Sequence, residues 1–149
     1  MTNTKEGKAL ELFSKGYNCA QAVFGALCGE GGLDREMALR LANGFGGGLR
    51  CGEICGAVSG AVMAVGLKCG FYVEKDFEQK FFCNKKTYEF IEKFKAENHS
   101  IMCRDLLGVD IRVPADFTKP EFDAAHKTVC PKMIASAVRV LENMEFTKE

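Results

Sequence analysis

Three observations predict an all-α fold for this chain. Apolar residues recur at helical spacing in most segments, helix-start and helix-stop residues separate those segments, and strand-like alternation is weak, with Val109, Ile111 and Val113 its best example. We expect a compact bundle of about six to seven helices around a central helix rich in glycine and alanine. The 149 residues, almost half of them apolar, suffice for one core. We therefore predict a single cysteine-rich domain over residues 1–149.

Two helices are predicted near the N-terminus. The first covers about residues 5–15 and ends at Gly16, which can adopt the left-handed conformation of a helix end. Asn18 is a good N-cap for the second helix and places Cys19 at its first position. The second helix has four apolar residues on one face: Ala20, Val23, Phe24 and Leu27.

Two further helices follow in the first half of the chain. Asp34 caps the third, whose expected inward stripe is Met37, Ala38, Leu41 and Ala42. The fourth covers about residues 52–68. Small residues at Gly56, Gly60 and Ala64 leave a smooth groove on it, which lets a neighbouring backbone approach closely. We expect this to be the central helix.

A long amphipathic helix over about residues 74–98 opens the second half. Its apolar stripe consists of Phe77, Phe81, Tyr88 and Ile91. Ser100 is expected to cap a short helix that ends at Gly108 and carries Cys103 in its first turn. The chain then looks irregular over 109–120, and one or two helical turns are expected over 121–128. The last helix begins at Cys130-Pro131, with Cys130 as its N-cap.

Four of the eight cysteines fall at the starts of separate predicted helices: Cys19, Cys55, Cys103 and Cys130. We call them the quartet. A helix start presents unpaired N–H groups and the positive end of the helix dipole, which favours thiolate over thiol. Thiolate is the form that attacks disulfides and binds soft metals. The hypothesis is that the quartet converges in space to form a thiol redox site or a metal-cluster site, although each cysteine alone could be a small buried hydrophobe.

Three other residues are candidates for the same site. Gly56 follows Cys55 and could admit a bulky ligand beside the thiol. Cys51 lies four residues before Cys55, so it becomes an extra metal ligand if the helix extends that far. His126 stands four residues before Cys130 and could be a metal ligand or a proton donor, or a solvated surface histidine.

The remaining charged and sulfur-containing candidates are weaker. Arg50 and Arg104 each flank a candidate cysteine, Cys51 and Cys103 respectively, and could stabilise thiolate charge, or could simply be surface guanidinium groups. Three cysteines have no neighbours that suggest chemistry and are interpreted as core or semi-exposed thiols: Cys28, Cys69 and Cys83.

Charge and motif analysis exclude several classes of function. Twenty basic and twenty acidic residues cancel, so nucleic-acid binding is not expected. The glycine-rich run at 44–48 lacks the flanking pattern of a phosphate loop, so no nucleotide is expected. The start of the sequence lacks a secretory signal, and the low-charge stretch 54–67 is too short to span a bilayer, so we expect a cytoplasmic protein without membrane insertion. In that reducing compartment, eight cysteines favour metal binding or redox chemistry over structural disulfides.

Several short blocks combine into a more specific pattern. In chain order they are Tyr17-Asn18-Cys19-Ala20-Gln21-Ala22-Val23, Gly46-Gly47-Gly48, Cys55-Gly56-Ala57-Val58-Ser59-Gly60, Cys103-Arg104-Asp105-Leu106-Leu107-Gly108 and Cys130-Pro131. Together they resemble the C_GCAxxG_C_C family of redox-active proteins over about residues 15–141. The resemblance implies that the quartet is the defining set of cysteines. A related domain in split-Soret cytochromes is associated with an iron–sulfur centre, which implies a cluster here. The haem attachment motif Cys-x-x-Cys-His is missing, so no haem is expected.

Four functions remain open from the sequence. The first is a redox module in which the quartet binds an iron–sulfur cluster or another soft metal for electron transfer, with an unknown redox partner protein. The second is metal-free thiol–disulfide exchange, and the third is a zinc-bound structural or partner-binding protein. The fourth is a helical scaffold that forms a homodimer through its aromatic or small-residue face. The sequence leaves open whether the chain is an oxidoreductase or an electron carrier.

Overall fold

Eight α-helices account for most of the ordered structure in the computed structural model, which describes residues 3–109 and 120–148. They are α1 Lys5–Ser14, α2 Cys19–Leu27, α3 Arg35–Ala42, α4 Gly56–Cys69, α5 Phe77–Asn98, α6 Cys103–Leu107, α7 Pro120–Thr128 and α8 Cys130–Glu142. An isolated bridge between Ile54 and Met102 is the one β-type pairing in these two ranges. The predicted all-α class is confirmed. Most of the weak alternation at 109–113 and of the irregular stretch 109–120 lies outside the described residues.

Helices α2 and α4 pack against each other at the centre of the bundle. Nearly all of α2 is buried, and α4 presents its small residues to it. A Cβ atom added at Gly60 would lie 2.8 Å from the carbonyl oxygen of Ala20 and 3.1 Å from the Cβ of Val23. The two backbones therefore touch with no side chain between them. Helix α4 is the central glycine- and alanine-rich helix that the sequence predicts, and helices α1, α3, α5 and α8 pack around this pair.

The buried faces of the outer helices agree only partly with the predicted stripes. In α3, Ala38 and Ala42 are fully buried, whereas Met37 and Leu41 are 49% and 57% exposed. The reason is that this short helix lies against α2 through its alanines. In α8 the apolar residues at helical spacing are buried: Met133, Ala137, Val140 and Leu141.

The predicted stripe of α5 is wrong for three of its four residues, since only Ile91 packs against the core. Phe77, Phe81 and Tyr88 are 56%, 64% and 67% exposed. The buried residues of this helix are instead Cys83, Phe90 and Phe94, because these side chains face α4 and α8. Aromatic residues occur on two faces of α5, and spacing alone does not say which face packs inward.

No helix in the described ranges is both long enough and apolar enough to cross a bilayer.

Candidate functional site

The first two quartet cysteines lie at the starts of the two central helices. Cys19 is the first residue of α2, directly after Asn18. The Asn18 Oδ1 accepts the backbone N–H of Gln21 at 3.0 Å, and the Gln21 Oε1 accepts the backbone N–H of Asn18 at 3.0 Å. This reciprocal capping box fixes where α2 begins. Cys55 is the N-cap residue of α4, which starts at Gly56, four residues later than predicted.

Backbone hydrogen bonds hold the third cysteine beside the second. The N–H of Cys55 donates to the carbonyl of Ile101 at 2.7 Å, and the N–H of Cys103 donates to the carbonyl of Glu53 at 2.6 Å. Cys103 is the first residue of α6, whose N-cap is Met102 and not the predicted Ser100. Ser100 contributes differently, because its Oγ accepts the N–H of Met102 at 3.0 Å.

Cys130 is the first residue of α8, and Pro131 follows it. The prediction that Cys130 is the N-cap itself is wrong by one position, since Val129 occupies that place with a helical backbone. The N–H of Val129 donates to the carbonyl of Ala125 at 2.7 Å, so α7 runs almost directly into α8. Pro131 cannot donate a backbone hydrogen bond, which accounts for the break between the two helices.

The structure brings the whole quartet to one cavity of about 50 Å³. Each quartet residue is only 5% to 8% exposed. The cavity is lined by Asn18, Cys19, Gly47, Arg50, Cys55, Gly56, Cys103, Leu106, Leu107, Phe122, His126, Val129, Cys130 and Met133. Four segments distant in sequence therefore place sulfur atoms around one small, largely apolar space.

A left-handed turn forms one wall of this cavity. Residues Gly47, Gly48, Leu49 and Arg50 have φ values of 64°, 62°, 61° and 59°. A Cβ at Gly48 would lie 2.5 Å from the backbone nitrogen of Glu53 and 2.8 Å from the Cβ of Cys103. The left-handed conformation costs about 1–2 kcal/mol at each of the two residues that are not glycine. The sequence signal for this close approach is the run of three glycines, Gly46-Gly47-Gly48, which the spacing of the cysteines does not reveal.

The thiols of Cys19 and Cys130 both line the cavity, and their interaction shifts the pKa of each. This interaction raises the pKa of Cys19 well above its usual value, and burial and the nearby quartet thiols add to the rise. The same interaction lowers the pKa of Cys130, against the opposing effect of burial. The directions of the two pKa shifts favour a thiolate on Cys130 over one on Cys19.

Burial governs the other two quartet thiols. It raises the pKa of Cys55 to about 11, although the N–H groups of Ala57 and Val58 oppose the rise. It raises the pKa of Cys103 to about 12, with Cys55 and Cys130 adding to the rise and Arg50 opposing it. The expectation that a helix start makes each quartet cysteine a thiolate is therefore wrong for these two, as it is for Cys19. The loss of water around a buried sulfur outweighs the helix-start effect.

The secondary candidates lie at different distances from the cavity. His126 lines it and packs against the rings of Phe13 and Phe122, with centroid distances of 4.8 Å and 5.5 Å. Burial lowers the pKa of His126, which favours the neutral imidazole. Cys51 is not among the lining residues, and its thiol donates to the Gly48 carbonyl at 3.4 Å.

The two candidate arginines differ in their position relative to the cavity. Arg50 lines the cavity, whereas Arg104 forms a salt bridge of 2.8 Å with Glu53 and donates to the carbonyl of Gly52 at 3.2 Å. The condition that would make Cys51 a ligand, a helix running from it to Cys55, is not met, because α4 begins at Gly56.

A family model described as "Putative redox-active protein (C_GCAxxG_C_C)" matches residues 17–144 of the chain. The chain belongs to the C_GCAxxG_C_C family. The match runs from the residue before Asn18 to just beyond the end of α8, so it contains the whole quartet and every described helix except α1. No curated protein and no solved structure matches the chain.

The quartet of this C_GCAxxG_C_C protein is not arranged for a single metal ion. Within residues 3–109 and 120–148, no three His, Cys, Asp or Glu side chains are placed to hold one ion. A tetrahedral Zn²⁺ site has Zn–S distances of about 2.3 Å, which requires sulfur atoms less than about 4 Å apart.

The stability of the C_GCAxxG_C_C protein is expected to depend on pH through Cys55. Because burial raises the folded-state pKa from 9.0 to about 11, the unfolded chain loses this proton first as the pH rises. The stabilisation is complete below the unfolded pKa, and the free energy of unfolding then falls by about 1.4 kcal/mol per pH unit until the folded pKa is reached. Urea unfolding of reduced, metal-free protein from about pH 8 to about pH 11 measures this slope. Cys55→Ala should show a shallower slope, and equal slopes would contradict the prediction.

Proposed function

We propose that the protein is a redox module whose quartet binds an iron–sulfur cluster for electron transfer. The observation that carries the proposal is the convergence of four cysteines from four helix starts on one small cavity. Cysteine thiolates are the usual ligands of iron–sulfur clusters, and four are the common number. Membership in a family described as redox-active supports the same assignment.

The shared cavity supports a cluster more than a lone ion. In a cluster of four irons each cysteine binds a different iron atom, so the sulfur atoms lie farther apart than around one zinc ion. In the described part of the chain the four thiols line one space and no trio is grouped for one ion, which supports this choice. For a structural zinc site, the four sulfur atoms of the quartet would have to be grouped around one point.

The residues beside the quartet suit a bound group with negative charge. Gly56 keeps the cavity open next to Cys19, because a Cβ at this position would lie 3.2 Å from the Cβ of Cys19. Arg50 supplies positive charge at the cavity wall, and the N–H groups of Ala57 and Val58 lower the pKa of the Cys55 thiol. Hydrogen bonds to ligand sulfur atoms and a dry environment are the main means by which proteins set a cluster's potential.

The cluster would supply one-electron redox chemistry when bound, and the chain would supply its ligands and surroundings. Cys19, Cys55, Cys103 and Cys130 would hold it as thiolates, so binding would release the protons that burial now retains on the quartet. Apolar side chains exclude water from the cavity: Leu106, Leu107, Phe122 and Met133. An electron would leave to or arrive from a separate redox protein.

A second candidate function is thiol–disulfide exchange, and the Cys19–Cys130 contact favours it. The Cys130 thiolate would attack a substrate disulfide, forming a mixed disulfide and releasing one substrate thiol. Cys19 would then attack the Cys130 sulfur and release the second substrate thiol. The balance is two electrons and two protons transferred from the dithiol to the substrate, which leaves a Cys19–Cys130 disulfide.

Anaerobic reconstitution tests the cluster proposal. The reduced protein is incubated with ferrous iron, sulfide and a thiol reductant, and iron, sulfide and visible absorption are measured after desalting. We expect iron and sulfide bound in similar amounts, with an absorption that bleaches on reduction. Cys55→Ser should lose most of both. Cys28→Ser is the matched control, since the Cys28 thiol is buried elsewhere and donates to the Gly25 carbonyl at 3.4 Å.

Two results would overturn the cluster proposal. One is wild-type protein that retains no iron and sulfide after reconstitution, and the other is Cys55→Ser that retains as much as the wild type. Stoichiometric zinc in protein purified without added metal, undisplaced by reconstitution, would count for the structural-zinc alternative instead. Iron-free protein that reduces a model disulfide, with loss of activity in Cys130→Ser, would establish the exchange function.

A further inference from the structure

A second pair of thiols lies outside the quartet. Cys69 is the last residue of α4, and Cys83 lies in the second turn of α5. Their Sγ atoms are 2.8 Å apart, and the two residues are only 5% and 9% exposed. A disulfide bond has an S–S distance of about 2.05 Å, so the sulfurs need to approach by only about 0.8 Å.

The backbone around this pair is held in place. The Gln79 Nε2 donates to the carbonyl of Cys69 at 2.6 Å, and the Thr87 Oγ1 donates to the carbonyl of Cys83 at 3.0 Å. The Cys69 thiol also contacts the carbonyl of Val65 at 3.3 Å. Both cysteines are therefore positioned on rigid helical backbone, and bond formation requires movement of side chains alone.

We propose that Cys69 and Cys83 form a reversible disulfide by exchange with a low-molecular-weight disulfide such as oxidised glutathione. Cys69 borders a surface groove of about 590 Å³, lined also by Lys68, Tyr72 and Gln79, through which such a molecule reaches the thiol. Deprotonated Cys69 attacks one glutathione sulfur, and glutathione thiolate leaves and takes up a proton. Cys83 then loses its proton, attacks the Cys69 sulfur and releases the second glutathione. Two electrons and two protons pass from the pair to the glutathione.

This pair is a separate site from the quartet. Helix α4 carries Cys55 at its N-cap and Cys69 as its last residue, and its 14 residues span about 21 Å at 1.5 Å per residue. The inference therefore does not rest on the proposed function of the quartet. In a reducing compartment a disulfide of this kind forms only when the glutathione pool becomes oxidised, which makes it a response to redox conditions.

The disulfide would close a loop that carries exposed apolar side chains. Between the two cysteines lie Phe71, Tyr72, Val73, Phe77 and Phe81, all of them at least 45% exposed. A cross-link restricts the unfolded chain more than the folded one, so oxidation should stabilise the protein. We expect the melting temperature to rise by about 5–10 °C, from the usual effect of a disulfide closing a loop of this length in a protein of this size.

Glutathione buffers test the proposal. The full-length, metal-free chain is incubated overnight at graded ratios of reduced to oxidised glutathione, because burial and the contact with Cys83 raise the pKa of Cys69 to about 12 and slow its reaction. A second sample is refolded from denaturant in the same buffers. In that sample the reaction does not depend on how accessible the buried thiols are in the folded protein. Free thiols are then alkylated and the peptides identified by mass spectrometry.

The expected result is a Cys69–Cys83 cross-linked peptide whose yield rises as the buffer becomes more oxidising, together with the higher melting temperature. Cys83→Ser should instead give a lasting glutathione adduct on Cys69 without the thermal shift, and Cys28→Ser should behave as the wild type. The proposal is wrong if Cys69 and Cys83 both remain alkylatable in both samples, or if either pairs with a different cysteine.

Discussion

Replacing Gly60 with valine is expected to lower the melting temperature by about 6–12 °C. A Cβ at this position meets the Ala20 carbonyl oxygen at 2.8 Å and the Phe24 backbone nitrogen at 3.3 Å. Because these are backbone atoms of a buried helix, no side-chain rotation relieves the overlap. Helices α2 and α4 would have to separate, at a cost of about 3 kcal/mol. Thermal unfolding followed by circular dichroism measures the change.

Gly66→Ala is the matched control on the same helix. Apart from the adjacent backbone of α4 itself, no atom lies within 4 Å of a Cβ built at Gly66. Alanine in a helix is more stable than glycine by about 0.5–1 kcal/mol, so this variant should unfold at a slightly higher temperature than the wild type. Similar losses in both variants would show that close packing at Gly60 is not the cause.

Replacing Cys19 with alanine is expected to slow alkylation of Cys130 at neutral pH by about tenfold or more. The interaction with the Cys19 thiol lowers the pKa of Cys130, and burial raises that pKa once the Cys19 thiol is lost. Hydrogen bonds to charged groups contribute about 1.5–3 kcal/mol, and each 1.4 kcal/mol corresponds to a factor of about ten. Mass spectrometry of the Cys130 peptide after timed alkylation of metal-free protein gives the rate.

The pH profile separates this effect from a change in access. In Cys19→Ala the midpoint of the profile should move to higher pH, whereas a more open cavity would change only the maximum rate. Cys19→Ser is the matched variant, because its hydroxyl keeps a hydrogen-bond donor beside Cys130 and should restore much of the reactivity. A midpoint that stays constant in all three proteins would contradict the assigned role of Cys19.

The helices were predictable where local signals and burial agree. Asn18 marks the start of α2, where it forms a capping box, and the apolar spacing in α8 matches its buried face. The face of α5 was not predictable, because aromatic residues surround it and only contacts with α4 and α8 select Cys83, Phe90 and Phe94 for burial. Periodicity defines a helix, but its neighbours decide which side of it is buried.

The residues of the candidate site could be predicted from the sequence more readily than the pKa shifts of their thiols. Glycines and caps placed the quartet at four helix starts, and the structure brings these starts to one cavity. The pKa directions depend on burial and on which thiols touch, and neither is encoded locally. The Cys69–Cys83 contact was missed for the same reason, because residues at the end of one helix and inside the next become neighbours only through packing of α4 on α5.

The bridge between Ile54 and Met102 has an evolutionary consequence. It joins the segments of Cys55 and Cys103 through main-chain N–H and carbonyl groups alone. Such bonds do not depend on which side chains occupy positions 54 and 102. Positions 54 and 102 can therefore change during evolution as long as the new side chains pack. The sulfur atoms of Cys55 and Cys103 keep their relative placement.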